Sequence, residues 1–210
     1  MNFAPTEEQQ MVKDMVTRFV NEEIKPIAAE LDETHRHPKE ICRKLGEMGL
    51  MGVSVPTEFG GAGMDNVTYA MALIEISRGC ASCGVITSVN NSLYGHPVKT
   101  YGTDEQKKIF LAPVAGGEVE GCYALTEAGA GSDAASLRCR AELKGDKYIV
   151  NGVKKFITSG NVAKYCVLAA TEDSSKGYKG IINLIVDLEN TPGFSVGAIE
   201  DKMGILASGT

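Results

Sequence analysis

Tyr123-Ala124-Leu125-Thr126-Glu127-Ala128-Gly129-Ala130-Gly131-Ser132-Asp133 is the stretch on which the reading of this sequence turns. A short apolar run leads in, Gly129 and Gly131 let backbone approach a ligand closely, and hydroxyls sit on either side at Thr126 and Ser132. Such a loop offers backbone N–H groups to a pyrophosphate or to the edge of a flavin ring. Read alone, it fits a tight turn at the entry to a barrel equally well. It is neither a G-x-G-x-x-G fingerprint opening a helix nor a phosphate loop with Gly-Lys-Ser/Thr.

The chain changes character at this loop. Upstream, Thr6-Glu7-Glu8-Gln9 forms a capping box, followed by Met11, Met15, Phe19 and by Val12, Val16, Val20 at helical spacing, continuing through Ile24, Ile27 and Leu31. This Met and Val stripe is expected in the core, with Pro26 kinking or briefly breaking the helix. A second helix is expected from Pro38 to Gly49, and a third from an Asp65 N-cap through Ser77. A further apolar stretch runs over 85–101. Thr103-Asp104-Glu105-Gln106 then repeats the capping box, and Gly116-Gly117 ends that helix. Residues 1–120 thus read as an all-helical domain of about five or six helices.

Downstream the period shortens to two. Strands are expected over 136–143, 148–150, 153–157, 165–171, 181–188 and 194–196, with turns at Gly145-Asp146 and at Asn151-Gly152, the latter a strong hairpin signal. Residues 121–210 read as an antiparallel β-barrel domain, so the fold class is α+β.

Composition supports a folded protein and narrows its partners. Of 210 residues, 43% are hydrophobic and 23% charged, and the net charge is −6 with scattered basic residues. That pattern argues against nucleic acid or an anionic membrane as the main partner. The first residues carry no secretory or transit signal, and no apolar run approaches the ~20 residues of a membrane span, so a cytoplasmic location is expected. The six cysteines read as buried free thiols. Cys80 and Cys83 have metal-like spacing but no second pair follows, so no metal site is expected. His35 and His37 read as solvated loop residues.

The loop at 123–133 resembles the acyl-CoA dehydrogenase signature, whose core is Thr-Glu, two variable residues, a small residue, Gly, Ser and Asp. Lys155-Phe156-Ile157-Thr158-Ser159-Gly160 is similar to the family's second flavin motif. Val55-Pro56-Thr57-Glu58-Phe59-Gly60-Gly61 and Tyr101-Gly102-Thr103-Asp104-Glu105-Gln106-Lys107 look like its helical-domain landmarks. Asn91-Ser92-Leu93-Tyr94 looks closest to short-chain members. Four motifs in the right order across the whole chain are far more specific than any one.

The resemblance implies FAD in a crevice beside the barrel. Thr126, with the backbone at Tyr123 and Leu125, would face the pyrimidine end of the flavin. Thr158 would hydrogen-bond N5, with Ile157 beside it in the motif and Phe156 packing on the ring. Gly131 and Ser132 would lie at the pyrophosphate, where Ser132 also meets the CoA thioester arm of the substrate. The implied reaction is α,β-desaturation of an acyl-CoA, with hydride passing to flavin N5 and then to an electron-transferring flavoprotein, in a homotetramer. The family's carboxylate base belongs to a later helical domain, so these 210 residues are expected to stop before it. Glu127 reads as structural, and no catalytic residue is named. Oxidase or monooxygenase chemistry on the same scaffold stays open, as does a non-catalytic flavin- or CoA-binding subunit that takes its base from a partner chain. Three departures stand out: Ala128 where proline is frequent, Phe156 where tryptophan is, and Leu206 where many relatives have arginine.

Overall fold

A computed structural model describes residues 4–210. Five helical runs come first. Run one comprises α1 (Glu7–Phe19), a π turn over Val20–Ile24, a 3₁₀ turn at Lys25–Ile27 and α2 (Ala28–Thr34). Pro26 falls in the 3₁₀ turn, where its missing N–H and fixed φ change the helix type. Then come α3 (Lys39–Glu47) and α4 (Asn66–Gly79). Next, α5 (Ala81–Ser88) passes through a π turn into α6 (His96–Tyr101), and α7 (Asp104–Gln106) likewise into α8 (Ala112–Ala115).

The caps follow the sequence signals. Thr6 Oγ1 accepts from Gln9 N at 3.2 Å and Gln9 Oε1 accepts from Thr6 N at 3.0 Å. Thr103 and Gln106 do the same, and Asp65 accepts from Thr68 N. Each satisfies donors the first helical turn leaves orphaned.

The helical core forms around Val12, Val16, Val20, Ile24 and Leu31, packed against Ile41, Leu45, Ile76 and Ile86. Of the two expected ridges the valine ridge is buried, whereas in the other only Phe19 packs partly against the core. Met11 is 65% and Met15 39% exposed, because their ridge is rotated about 100° from the valines and faces solvent.

The strands are β1 (Gly121–Ala124), β2 (Arg140–Lys144), β3 (Lys147–Asn151), β4 (Tyr165–Thr171) and β5 (Ile181–Asp187). They form one mixed sheet that does not close, which corrects the antiparallel barrel. β4 is central: β5 runs antiparallel along one edge from Tyr165–Asp187 to Thr171–Ile181. Its other edge takes β1 in parallel from Gly121–Tyr165 to Ala124–Leu168, and then β2 in parallel at Arg140–Thr171. Two short strands thus share one edge in tandem. Closure fails because residues 153–157 and 194–196, expected as strands, are irregular. Phe156 at φ 57° breaks the first, and Gly193 at φ 81° precedes the second.

Two smaller expectations also change. The tight hairpin is Gly145-Asp146, joining antiparallel β2 and β3, with Gly145 at φ 66°. Asn151-Gly152 ends β3 instead: a Cβ on Gly152 would lie 2.6 Å from Cys139 Sγ, so glycine serves close packing there. The 136–143 strand begins only at Arg140, because Ala134–Ser136 is a 3₁₀ turn in which Ser136 Oγ donates to Asp133 Oδ2.

Tyr94 joins the two halves. It is fully buried with Val98, Leu111 and Val114 from the helices and Tyr165 and Val167 from β4, and its hydroxyl donates to Phe110 O at 2.8 Å. The last residues return to the helices: Ala207 packs into their core and Leu206 N donates to Asp32 Oδ1. Among the described residues no helix is long and apolar enough to cross a membrane.

Candidate functional site

The glycine-rich loop is held by a carboxylate. Glu127 N donates to Ala130 O at 2.8 Å and Ala130 N returns to Glu127 O at 3.3 Å, closing the turn. Glu127 Oε2 accepts from Arg138 N at 2.7 Å, and Oε1 from Cys139 N at 2.9 Å and Lys154 Nζ at 2.7 Å. The Glu127 and Lys154 side chains are only 11% and 9% exposed. Burial pushes the Glu127 carboxyl upward, but Lys154 and the two amides together outweigh it and hold it below the ordinary range. Three donors from two segments converge on the Glu127 carboxylate, so it is a loop clamp, as its reading as structural implied.

Lys154 also donates to Leu125 O at 2.8 Å, and Lys155 N donates to Thr126 O at 2.8 Å. These bonds lay the 154–158 segment beside the loop and bring Leu125, Thr126, Phe156, Ile157 and Thr158 into one region. Lys154 carried no sequence signal beyond a charge inside an apolar run. Ile157 packs with Cys122, Ala124 and Ala163, and Leu125 with Ala130, Leu137 and Ala169. Tyr123 is half-buried at the edge of the core that Tyr94 anchors.

Three features face outward. Thr126 and Thr158 are half-buried, and neither hydroxyl has a hydrogen-bond partner among the described residues. Phe156 is 62% exposed at φ 57°, a left-handed conformation that is strained for a bulky residue and concentrates at functional positions. Gly129 and Gly131 need no glycine for packing: a Cβ at 129 meets nothing within 4 Å, and one at 131 lies 4.0 Å from Thr126 Cγ2. Ser132 is exposed beside them. A cleft of about 720 Å³ opens instead near Ser136, Arg138, Arg140, Thr171 and Ser174, and none of the eight residues named from the sequence lines it.

Residues 6–118 match the family model described as "Acyl-CoA dehydrogenase, N-terminal domain" and residues 122–210 its "middle domain". The chain belongs to the acyl-CoA dehydrogenase family. It is 46% identical over 210 residues to the "Acyl-CoA dehydrogenase, short-chain specific" of Clostridium acetobutylicum, covering 100% of this chain and 55% of that protein. Butyryl-CoA dehydrogenase from Megasphaera elsdenii superimposes with a TM-score of 0.93 at 34% identity, over 100% of this chain and 55% of that one. A glutaryl-CoA dehydrogenase from Mycobacterium smegmatis in complex with FADH2 gives 0.90 at 32%, over 98% and 51%. The chain therefore spans about half the length of the acyl-CoA dehydrogenases it matches.

All six cysteines are free thiols and all but Cys80 are buried. Cys80 caps α5: hydrogen bonding from Cys83, with help from the Cys83 and Ser82 backbone N–H groups and against burial, draws its thiol down to about 6. The same contact pushes Cys83 up. At neutral pH Cys80 should therefore be alkylated first by limiting iodoacetamide, at least about tenfold ahead of the buried thiols. Peptide mapping that finds another cysteine labelled first contradicts this.

Proposed function

We propose that this chain forms the flavin-binding half of an FAD-dependent acyl-CoA dehydrogenase that desaturates short acyl-CoA thioesters between the α and β carbons. The observation that carries the proposal is the outward-facing set of Thr126, Thr158, Phe156 and glycines 129 and 131, whose hydroxyls, aromatic face and bare backbone the folded chain leaves unused. These groups fit a flavin, and the likeness to a dehydrogenase holding FADH2 supports that choice. Bound there, FAD would supply the acceptor for the substrate hydride.

The chain's own residues do the positioning. Thr126, with the backbone at Tyr123 and Leu125, reads the pyrimidine edge; a donor there stabilises negative charge that collects on reduction. Thr158 sets the hydrogen bond at N5, and Ile157 backs it from the core. Phe156 covers a ring face and excludes water. Gly131 and Ser132 receive the pyrophosphate, and Ser132 the thioester arm. Residues 1–120 and 121–210 act as two domains, and the electrons leave to an electron-transferring flavoprotein. The assembly in this reading is a cytoplasmic homotetramer, and the bacterial source of a 46% identical relative supports the location. In this reading no residue of the chain removes the α-proton.

Gly131→Ala tests the site, because its Cβ clashes with nothing in the folded chain. FAD affinity, read by flavin fluorescence quenching, should fall at least about tenfold, which is 1.4 kcal/mol. The melting temperature should be unchanged. Unaltered FAD affinity would show that no ligand approaches this backbone.

A further inference from the structure

His37 does not behave as the solvated loop residue its sequence context suggests. It is half-buried, with Nε2 2.6 Å from Glu120 Oε1, across 83 residues of sequence. Cys42 Sγ lies 4.0 Å from the same nitrogen. One ligating atom from each of the three residues falls within 4.8 Å of the others, the one such group among the described residues.

We infer that His37, Cys42 and Glu120 form a binding site for a single zinc-like divalent cation that ties the helical half of the chain to the strand leading into the glycine-rich loop. Each ligand is placed by backbone. Ile41 N and Cys42 N both donate to Pro38 O at 3.0 Å, which fixes the first turn of α3 with His37 directly before it. Glu120 directly precedes β1, and its carbonyl accepts from Lys164 N at 3.0 Å and Tyr165 N at 3.4 Å. The site therefore joins α3 to β1 and β4.

One unused atom points to a ligand. Glu120 Oε2 is buried without a partner, although buried polar atoms are normally paired, and the carboxylate can turn it toward a cation. Glu120 is 8% and Cys42 3% exposed, so the two are nearly sealed from water. One sulfur, one imidazole nitrogen and one carboxylate oxygen suit zinc or cobalt, whereas magnesium and calcium prefer oxygen alone.

Metal–ligand distances of about 2.0–2.3 Å in a tetrahedron put ligand atoms roughly 3.3–3.6 Å apart. The His37–Cys42 separation contracts slightly to reach this, and the His37–Glu120 pair opens by about 0.8 Å as the metal takes the place of their shared proton. The displaced proton passes to Nδ1 by way of solvent, which leaves Nε2 free to bind the metal. The Cys42 thiol, held well above its usual range by burial and then by the Glu120 carboxylate, gives its proton to solvent as the Sγ–metal bond forms. Water completes the fourth position from the His37 side, whose side chain is 16% exposed.

The test is cobalt substitution. The chelator-stripped protein, given Co²⁺, should develop visible d–d bands and a near-ultraviolet thiolate-to-cobalt charge-transfer band that saturates at one equivalent and is displaced by Zn²⁺. A Cys80→Ser/Cys83→Ser variant should keep that band, and Cys42→Ser should lose it. Glu120→Gln, which retains a carbonyl acceptor for His37, should weaken Zn²⁺ at least about tenfold. No charge-transfer band in the unaltered protein, its persistence in Cys42→Ser, or unchanged zinc affinity in Glu120→Gln each overturns the inference and leaves a hydrogen-bonded His37–Glu120 pair.

Discussion

Glu127→Ala should lower the melting temperature by roughly 10 °C and abolish flavin binding. The substitution leaves the Lys154 ammonium, 9% exposed, with only Leu125 O for a partner. It also strips the acceptor from Arg138 N and Cys139 N. Removing one member of a buried ion pair costs about 3–5 kcal/mol, and each kcal/mol moves the midpoint of a chain this size by ~2–4 °C. The loss comes from the uncompensated charge, so Glu127→Ala/Lys154→Met should recover a measurable part of it. A double variant no more stable than the single one would place the energy elsewhere.

The same clamp fixes a pH dependence. Glu127's folded carboxyl is held below the 4.5 of its unfolded state. Its contribution is therefore complete above that value and is lost as pH falls through the lower, folded value. The melting-temperature gap between the unaltered protein and Glu127→Ala should be constant from pH 7 to about 5 and shrink below about 4.5. A gap that widens in acid would contradict the assignment.

Gly121→Ala should be nearly as damaging. A Cβ there would lie 2.2 Å from Tyr94 Cγ, and the ring is fully buried in the core shared by helices and sheet. Gly121 N is meanwhile held to Asn90 Oδ1 at 3.0 Å, so the strand cannot lift away freely. Overpacking of a rigid aromatic costs about 1–3 kcal/mol or more, which is a fall of roughly 5–10 °C. Tyr94→Leu in the same chain makes room and should restore part of the loss. Calorimetry of the unaltered protein and the two variants decides it, and an unchanged midpoint in Gly121→Ala would mean that the two halves do not share this core.

What could be read from the sequence follows the range of each interaction. Caps at Thr6, Asp65 and Thr103 act over three residues, so their signals were local and the helices formed where expected. Runs rich in apolar residues mark β2 to β5, but the same signal also marks 153–157 and 194–196, which are irregular, and β4 is buried throughout with no alternation. The pairing of the strands is not visible: β1 lies parallel to β4 with Gly121 opposite Tyr165, and nothing in either segment specifies that partner. Nor does alternation reveal that Phe156 takes a positive φ, which ends one expected strand. The exposure of Met11 and Met15 depended on which of two adjacent ridges the other helices covered.

In the candidate site, Thr126, Phe156 and Thr158 were named from the family resemblance, since propensity alone gives ordinary strand residues there. Lys154 carries no local signal because its role depends on Glu127, and the two meet only after folding. His37 looks solvated in sequence for the same reason, its partner Glu120 lying in another part of the fold.

In the proposed reading this chain orients a flavin but does not deprotonate the substrate. The measurement that addresses it is a visible absorption titration of the purified protein with FAD, followed by anaerobic butyryl-CoA. A saturable shift of the oxidised flavin spectrum, weakened in Gly131→Ala and not bleached by butyryl-CoA, is the expected result. Bleaching would mean that a base lies within these residues, and the absence of any saturable shift would mean that the loop and the 154–158 segment do not form a flavin site.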